Sequence, residues 1–315
     1  MTKKMPKYRF YKFSDEWKLK PANFNLAELT PIAARFADYL GEYLVTQGYH
    51  SFAADGQALP TLLEADQKRI AFYYPKEIGE QQRIVQLLAK IDKMISYNEE
   101  RLIIIRNLKD GYLQRLFPTY GGSQPKDRLT GFSEPWREVN LSALFYESRQ
   151  PVVPNEYYPA VKLQADMKLE LTPIKDIDYR ELAKFQKVEV NDYLYDGDDF
   201  LGGVRGLNLS QPCSVAKKYH VMRVNEGVDV HFIQALTATY NFLYSVQRFE
   251  QGGKVPVDNF RHVKCYVPTD VAEQKAIGEF FTNLCRQVEL QEAKIQVLQD
   301  YKQAYLQKMF LVKKH

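Results

Sequence analysis

The stretch PKEIGEQQRIVQLLAKIDKMI, Pro75–Ile95, decides the fold because a related stretch, PTDVAEQKAIGEFFTNLCRQV, occurs again at Pro268–Val288. A shift of 193 residues aligns Pro75–Phe117 with Pro268–Phe310 without a gap. Ten of these 43 positions are identical, and many others exchange one apolar residue for another. A constant offset over this length indicates an internal duplication.

A shorter repeat precedes each copy. KYRFYKFSDEW at Lys7–Trp17 and KDRLTGFSEPW at Lys126–Trp136 match at an offset of 119 residues. The chain is therefore predicted to contain two units, each with an opening motif, a body and a long helix. The first body is 74 residues shorter than the second. It lacks the part that corresponds to the region after about Leu144 and before about His231.

Each long segment carries apolar residues at the i, i+3, i+4, i+7 spacing of an amphipathic helix. The apolar seam of the first helix comprises Ile84, Leu87, Leu88, Ile91, Ile95, Leu102, Ile105, Leu108 and Tyr112. The second seam comprises Ile277, Phe280, Phe281, Leu284, Val288, Ile295, Leu298, Tyr301 and Tyr305. Each helix spans roughly 50 Å, and a narrow seam must be covered. We therefore expect the helices to pair as a coiled coil, with Asn98 and Gln291 setting its register.

The bodies have a different pattern. Alternating apolar and polar residues predict strands in 159–165, 187–197, 220–227 and 262–268, and residues 228–246 are typical of a helix. The predicted fold class is α+β, with two globular domains of mixed helix and strand, the first truncated. The predicted boundaries are a first domain at 1–75, a helix at 76–117, a Pro- and Gly-rich linker at 118–131, a second domain at 132–268 and a second helix at 269–315.

Composition excludes several classes of protein. With 43 basic and 39 acidic residues, the net charge of +4 permits a nucleic-acid partner without requiring one. Cys213, Cys265 and Cys285 are odd in number and show no C-x-x-C spacing, which argues against a disulfide framework and a thiolate zinc site. No stretch is long and apolar enough for a membrane span. We expect a cytoplasmic protein without a membrane partner.

Signatures of catalysis are missing from the sequence. There is no G-x-x-x-x-G-K-[ST] phosphate loop. The acidic string Asp192, Asp196, Asp198 and Asp199 lacks a matching histidine pair, so we interpret it as a solvated turn rather than a metal site. The five histidines show no ligand spacing. The chain is predicted not to be an enzyme and to bind no cofactor of its own.

One window is distinctly basic. No acidic residue occurs between Asp199 and Glu226. Basic and hydrogen-bonding residues in such a window can contact phosphates and bases of DNA. The candidate DNA-binding residues are Arg205, Asn208, Gln211, Lys217, Lys218, Tyr219 and Arg223. A plain solvated surface is the alternative interpretation.

The repeated motifs carry a family resemblance. EQQRI…LKDGYLQRLF and EQKAI…YKQAYLQKMF, each preceded by Lys-x-Arg…Phe-x-x-x-Trp, resemble the specificity (S) subunits of type I restriction-modification systems. The resemblance implies two target-recognition domains held apart by an antiparallel helix pair. Each domain would recognise half of an interrupted sequence in double-stranded DNA. The helices would set the spacing and dock two methyltransferase (M) subunits, and restriction (R) subunits would join them. S-adenosylmethionine, ATP and Mg²⁺ belong to those partners, and adenine is the methylated base.

The same resemblance implies a set of helix residues that organise the assembly. They are Gln81, Ile84, Ile91, Tyr112, Gln114, Gln274, Ile277, Leu284, Tyr305 and Gln307. The chain departs from the family pattern in its short first body, so we hypothesise that Trp136–Pro268 is the competent recognition domain. Recognition would then be one-sided unless two chains assemble. The alternatives are a truncated decoy that binds M subunits without full DNA specificity, and a fused nuclease, for which no motif is present.

Overall fold

A computed structural model describes residues 6–10, 13, 15–21, 31–49, 51–52, 61–62, 70–153, 158–163, 171–173 and 184–314. The chain forms two compact units: unit 1 runs to Ile104 and resumes at Val288, and unit 2 is Ile105–Gln287. Parts of the predicted first domain, and residues 164–165 of a predicted strand, lie outside the described residues. The prediction of a mixed helix-and-sheet fold is confirmed.

Six helices occur in the described part of the chain. They are α1 (Pro31–Thr46), α2 (Ile78–Arg115), α3 (Val230–Thr237), α4 (Tyr240–Gln247), α5 (Val257–His262) and α6 (Val271–Met309). The strands are β1 (Lys18–Pro21), β2 (Ser51–Phe52), β3 (Thr61–Leu62), β4 (Ile70–Tyr74), β5 (Arg137–Asn140), β6 (Phe145–Glu147), β7 (Val161–Leu163), β8 (Leu171–Pro173), β9 (Phe185–Val188), β10 (Tyr193–Asp196), β11 (Arg205–Leu207), β12 (Cys213–Ala216), β13 (Tyr219–Val224), β14 (Lys264–Val267) and β15 (Leu311–Lys314).

Unit 1 contains a three-stranded antiparallel sheet in the order β1–β4–β15. Its core combines α1, the start of α2 and the end of α6. The buried residues are Trp17, Phe36, Leu40, Tyr43, Leu44, Tyr73, Ile84, Val85, Leu88, Leu306, Met309 and Phe310. The Phe310 ring lies 5.2 Å from that of Phe36 and 5.8 Å from that of Tyr43, measured between centroids. The end of α6 is thereby fixed in the core of unit 1.

The prediction of a helix over 269–315 is wrong at its end. Helix α6 stops at Met309, and Leu311 pairs with Tyr73 at the edge of the sheet. The edge of β4 offers hydrogen-bonding partners to the backbone that follows the anchored Phe310. The predicted linker 118–131 is likewise attached to the rest of unit 2, since the Pro118 carbonyl accepts a hydrogen bond from Asn241 and Arg128 pairs with Glu273.

Unit 2 is built on a four-stranded antiparallel sheet in the order β11–β10–β13–β6. Strand β10 is buried along its whole length because both faces of the sheet are covered. Tyr193 and Tyr195 belong to an aromatic core with Phe145 and Phe260. Leu194 faces a second cluster that contains Val188, Val204, Cys213, Val215, Tyr219 and Val221. This alternation follows the two-residue period of a strand.

The single helix predicted over 228–246 is two helices, α3 and α4. The break lies at Ala238–Thr239, where the Thr239 hydroxyl accepts a hydrogen bond from the Phe242 amide and caps α4. At the start of α3, the Asp229 carboxylate accepts one from the Phe232 amide. Threonine and aspartate are preferred at such helix starts because they satisfy amides that have no partner within the helix.

The packing of unit 2 predicts unequal reactivity of its thiols. Burial raises the pKa of Cys213 to about 11 and that of Cys265 to about 12, whereas Cys285 is partly exposed. Because the thiolate is the reactive form, we expect iodoacetamide at pH 8 to label Cys213 and Cys265 at least about 100-fold more slowly in the native protein than in urea. Peptide mass spectrometry measures the rates. Equal labelling of the two thiols in both states would contradict the packing.

Candidate nucleic-acid interface

Each unit holds the start of its long helix with the same buried ion pair, here termed the clasp. In unit 1, the Arg9 guanidinium donates two hydrogen bonds to the Glu80 carboxylate, at 2.5 and 2.7 Å. In unit 2, Arg128 donates two to Glu273, at 2.9 and 2.5 Å. Both carboxylates are 1% exposed. The clasp joins the arginine of each opening motif to the glutamate of each helix start, so the two sequence repeats have one shared structural role.

A glutamine next to each clasp repeats a second contact. Gln81 donates from Nε2 to the Pro75 carbonyl at 2.9 Å, and Gln274 donates to the Pro268 carbonyl at 3.1 Å. In both cases the side chain folds back over the proline that precedes the helix. The Pro-x-x-x-x-Glu-Gln motif is therefore a helix start in which both polar side chains are used internally.

A backbone hydrogen bond is also repeated. The Tyr8 amide donates to the Lys308 carbonyl at 3.0 Å in unit 1, and the Asp127 amide donates to the Arg115 carbonyl at 2.9 Å in unit 2. The donors are 119 residues apart and the acceptors 193 residues apart, which are the offsets of the two sequence repeats. In each unit the opening motif thus packs against the end of the long helix that belongs to the other repeat.

In unit 1, helices α2 and α6 pack antiparallel. Gln291 donates from Nε2 to the Asn98 side-chain oxygen at 2.8 Å, and Lys302 forms an ion pair with Asp92 at 2.7 Å. Between these contacts the residue number rises along α6 as it falls along α2, so the helices run in opposite directions. The structure thereby brings together the two amides that the sequence placed at matching positions of the seam.

Six exposed apolar side chains lie on one side of this helix pair. They are Met94, Tyr97, Ile104, Leu290, Val297 and Tyr301, and we term them the apolar strip. At about 100° per residue, each lies roughly 40–120° from the contact side, in the same rotational sense on both helices. Because the equivalent residues Asn98 and Gln291 touch, a local twofold axis relates the helices there. Such an axis places equivalent residues, such as Tyr97 and Leu290, on the same side of the pair.

The ten predicted assembly residues divide by exposure. Six are buried within their own units: Gln81, Ile84, Ile91, Gln274, Ile277 and Leu284. Tyr305 is half-buried, Tyr112 packs edge-on against Phe280 at 4.9 Å, and Gln114 and Gln307 are exposed. The sequence interpretation missed the apolar strip. It also placed Leu108 and Tyr301 in the seam, which is wrong, since they are 48% and 58% exposed.

In the folded protein, acidic side chains from outside the basic window lie against the basic residues of the window. Arg223 donates to the Asp192 carboxylate at 3.1 and 3.3 Å, and Lys218 Nζ lies 2.8 Å from Asp196. The hydrogen bond to Asp196 raises the pKa of Lys218. Both aspartates are buried, so their prediction as part of a solvated turn is wrong. Asp196 ends β10 and Asp192 directly precedes it. Their partners lie on or next to the antiparallel neighbour β13, since Arg223 belongs to β13 and Lys218 directly precedes it.

Three more candidate DNA-binding residues are buried or make contacts within unit 2. Arg205 donates to the Phe200 carbonyl and covers the Phe200 ring. Tyr219 is 6% exposed and Asn208 is 1% exposed. The burial of Asn208 and Tyr219 argues against the predicted direct contact of these two side chains with DNA, whereas the contact of the partly exposed Arg223 stays a prediction. Of the seven candidates, Gln211, Lys217 and Lys218 are exposed.

Four exposed lysines lie near one end of the β9–β12 strand pair and of the adjoining strand β7. They are Lys162, Lys184, Lys217 and Lys218, here termed the lysine end. The Lys217 amide donates to the Lys184 carbonyl at 3.0 Å, which places these two residues side by side. Lys162 follows Ala160, which pairs in parallel with Ser214 of β12. The sequence pattern found only the two lysines of the turn after β12, because the others come from distant parts of the chain.

Among the described residues, no group of three or more His, Cys, Asp or Glu side chains could hold a metal ion. No helix in the described ranges has the length and apolar character to cross a membrane. Unit 2 has a half-open groove of 450 Å³, lined by Asp110, Leu113, Gln114, Phe117, Pro118, Thr119, Tyr120, Ala238, Thr239, Tyr240 and Asn241.

The fold has known counterparts. An S subunit of a type I restriction-modification system from M. genitalium matches with a TM-score of 0.58 and 14% identity, over 90% of this chain and 74% of that one. The fold of this chain is similar to that of a type I restriction-modification S subunit. Two other matches are weaker. The HsdS subunit from Thermoanaerobacter tengcongensis has a TM-score of 0.45 and 16% identity, over 88% of this chain and 69% of that one. A chain from a type I R-M system has a TM-score of 0.49 and 15% identity, over 86% of this chain and 68% of that one. No family model and no curated protein matches the sequence.

The S-subunit fold agrees with the resemblance in the motifs. The clasp residues, Arg9 with Glu80 and Arg128 with Glu273, and the adjoining glutamines are among the residues that carry the resemblance. The resemblance inferred from the repeated motifs is confirmed at the level of the fold.

Proposed function

We propose that this chain is the DNA-specificity subunit of a type I restriction-modification complex. The observation that carries the proposal is the duplicated clasp, which supports both units of a chain whose fold is similar to that of an S subunit. In this role the chain works in the cytoplasm and is not itself an enzyme. Its task is to select the DNA sequence on which partner subunits act.

The partners supply the chemistry in this proposal. Two methyltransferase subunits with S-adenosylmethionine modify adenine, and restriction subunits with ATP and Mg²⁺ complete the complex. The chain contributes a DNA-binding surface in unit 2, where the lysine end presents four exposed lysines, of which Lys218 also pairs with Asp196. The interrupted target would be measured by the long helices, which act as a paired coiled coil.

The apolar strip supports a role in assembly. Single exposed apolar residues are normal on a protein surface, but here six of them lie on one side of a helix pair. Contiguous apolar patches of this kind commonly mark protein interfaces. We assign the strip to the methyltransferase subunits, with an amphipathic helical surface as the matching partner. The buried helix residues, such as Ile84 and Ile277, keep the strip in place by holding each unit together.

The shortened first body determines the expected recognition. The first body lacks the sequence equivalent of the region from β7 to β13, which carries the lysine end in unit 2. We therefore propose that Trp136–Pro268 recognises one half-site and that a single chain gives one-sided specificity, unless two chains assemble. Methylome sequencing of the host tests this. A complete two-part adenine-methylated motif that depends on this chain alone would contradict it.

A selection experiment tests the proposed function. The full chain, co-expressed with methyltransferase subunits, is purified and incubated with a random-sequence duplex pool at several salt concentrations, and bound DNA is sequenced. We expect co-purification and enrichment of a defined sequence. A decoy, the second candidate favoured by the short first body, would co-purify but retain DNA without enrichment, in a purely salt-sensitive manner. Failure to co-purify and to enrich would contradict both.

A further inference from the structure

Two loops of unit 2 are joined at the end of the sheet opposite the lysine end. Asn208 donates from Nδ2 to the Glu189 carbonyl at 3.1 Å and to the Gln211 carbonyl at 2.9 Å. Its Oδ1 accepts from the Ser210 amide at 3.3 Å and from the Ser210 hydroxyl at 3.1 Å. One buried side chain therefore fixes the turn after β9 and the loop before β12 against each other.

Backbone contacts strengthen the same junction. The Asn191 amide donates to the Asn208 carbonyl at 2.7 Å, and the Asn208 amide donates to the Asp192 carbonyl at 2.9 Å. Behind them, the Asp192 carboxylate accepts from the Glu189 amide at 2.8 Å and from Arg223 at 3.1 Å. Asn208 and Arg223, which the sequence suggested as DNA contacts, thus support these loops from within.

The loops carry exposed side chains that can recognise base edges. Five of their exposed residues, Val190, Asn191, Leu209, Ser210 and Gln211, are here termed the double-loop tip. Asn191 has a φ of 75°, a left-handed conformation that asparagine tolerates better than most residues. Asn and Gln side chains form paired hydrogen bonds with adenine in the major groove, and serine can bond to any base.

The tip and the lysine end lie at the two ends of one strand. Strand β12 begins at Cys213, two residues after Gln211, and is followed by Lys217 at the lysine end. Gln211 and Lys217 are six residues apart, which corresponds to about 20 Å of extended chain, more than the width of about 12 Å of the major groove. A tip inserted into the groove would leave Lys217 and Lys184 outside it, on the side of the phosphates that flank the groove. The exposed lysines favour a polyanion as the partner of this surface.

We propose that the double-loop tip enters the major groove of duplex DNA. Asn191 and Gln211 contact base edges, and the lysine end contacts phosphates. Asn208 is a positioning residue that acts through the tip without touching DNA. The inference rests on the proposed DNA-specificity function and assigns its parts. Side chains held on a rigid support lose little conformational freedom on binding, which favours discrimination between bases.

Substitutions in the tip test base recognition. The complex of full chain and methyltransferase subunits is assayed on duplexes enriched by the wild type and on scrambled duplexes. We expect Gln211→Ala and Asn191→Gly to reduce discrimination between them by about 5- to 150-fold each, with the salt slope unchanged. Glycine is chosen at 191 because it tolerates the positive φ. Gln247→Ala, an exposed glutamine on α4, is the matched control.

Lysine variants should act differently. Lys184→Ala with Lys217→Ala should weaken binding to enriched and scrambled duplexes alike. The slope of log K against log salt should fall by about 0.9 for each lost phosphate contact. Lys275→Ala, exposed on α6, is the control for a lost charge. An unchanged salt slope in the double variant would overturn the assignment of the lysine end.

The positioning role has its own signature. Asn208→Asp keeps the acceptor for Ser210 but loses both donors, so the tip loosens and discrimination falls. Because Asn208 acts through Gln211, adding Gln211→Ala to Asn208→Asp should cause less than the product of the two separate losses. A multiplicative effect would overturn the coupling. Asn208→Ser, which retains a smaller donor and acceptor, serves as a second variant if Asn208→Asp does not fold.

The outcomes separate this inference from the proposed function. If the wild-type complex enriches no sequence from the pool, the proposed function fails. If it enriches a sequence that the Gln211→Ala and Asn191→Gly variants enrich with equal discrimination, the tip assignment is overturned while the proposed function stands. Loss of discrimination with an unchanged salt slope supports the assignment.

Discussion

Replacing Glu273 with alanine is expected to destabilise unit 2 by about 3–5 kcal/mol, since it leaves the partly buried Arg128 guanidinium without its carboxylate. The carboxylate is 1% exposed and accepts two hydrogen bonds from Arg128. The pair also attaches the opening motif to the start of α6. Its loss should therefore loosen the whole of unit 2 rather than one loop.

Hydrogen exchange of the unit 2 amides, measured as urea is increased, reports this loss in the free energy of unfolding. Glu279→Ala removes an exposed glutamate from the same helix and should change little. The double variant Arg128→Leu/Glu273→Leu should recover much of the stability, because a buried ion pair can be replaced by apolar residues of similar size. A Glu273→Ala protein as stable as Glu279→Ala would show that the clasp is not a support.

The repeat was predictable from sequence, because two copies that align at a constant offset can be recognised without knowing which residues touch. The amides Asn98 and Gln291 could be paired for the same reason. The clasp could not be predicted in this way. Arg128 and Glu273 are matched letters of two separate motifs, 145 residues apart, and nothing in either pattern states that they meet. Only the folded structure shows that a residue of the 119-residue repeat pairs with a residue of the 193-residue repeat.

The basic window shows where a one-dimensional charge pattern fails. Lys218 and Arg223 lie in a segment without acids, yet β10 places Asp196 and Asp192 against them through antiparallel pairing. Strand pairing joins residues 22 and 31 positions apart, and both aspartates lie outside the acid-free window 200–225. For the same reason the lysine end, assembled from β7, β9 and β12, has no signature in the sequence.

The apolar strip had a signal that the seam assignment obscured. Tyr97 and Leu290, like Ile104 and Val297, are apolar at equivalent positions of the repeat but fall outside the seam. A helix with a second apolar stripe has a second partner, because one neighbouring helix covers only one side. The periodicity instead extended the seam to Leu108 and Tyr301, which are exposed. Periodicity identifies apolar faces but not which face meets which partner.

The variant Tyr97→Glu/Leu290→Glu is expected to abolish co-purification with methyltransferase subunits while leaving the chain folded. Both side chains are about 60% exposed, at 62% and 61%, so a glutamate costs little in the free chain. In the proposed complex, each carboxylate would be buried in an apolar interface without a partner. Two such charges should weaken the affinity at least about 100-fold, as expected when two central interface contacts are lost.

The control places the same charges on the other side of α2. Ser96→Glu/Ile103→Glu adds two glutamates at exposed positions, one of them apolar in the wild type, roughly 80–100° from the nearest strip side chains of α2. Size-exclusion chromatography of the co-expressed proteins, with urea unfolding of each chain alone, separates assembly from folding. Equal loss in both variants would indicate a general charge effect. Full assembly of Tyr97→Glu/Leu290→Glu would move the docking surface away from the apolar strip.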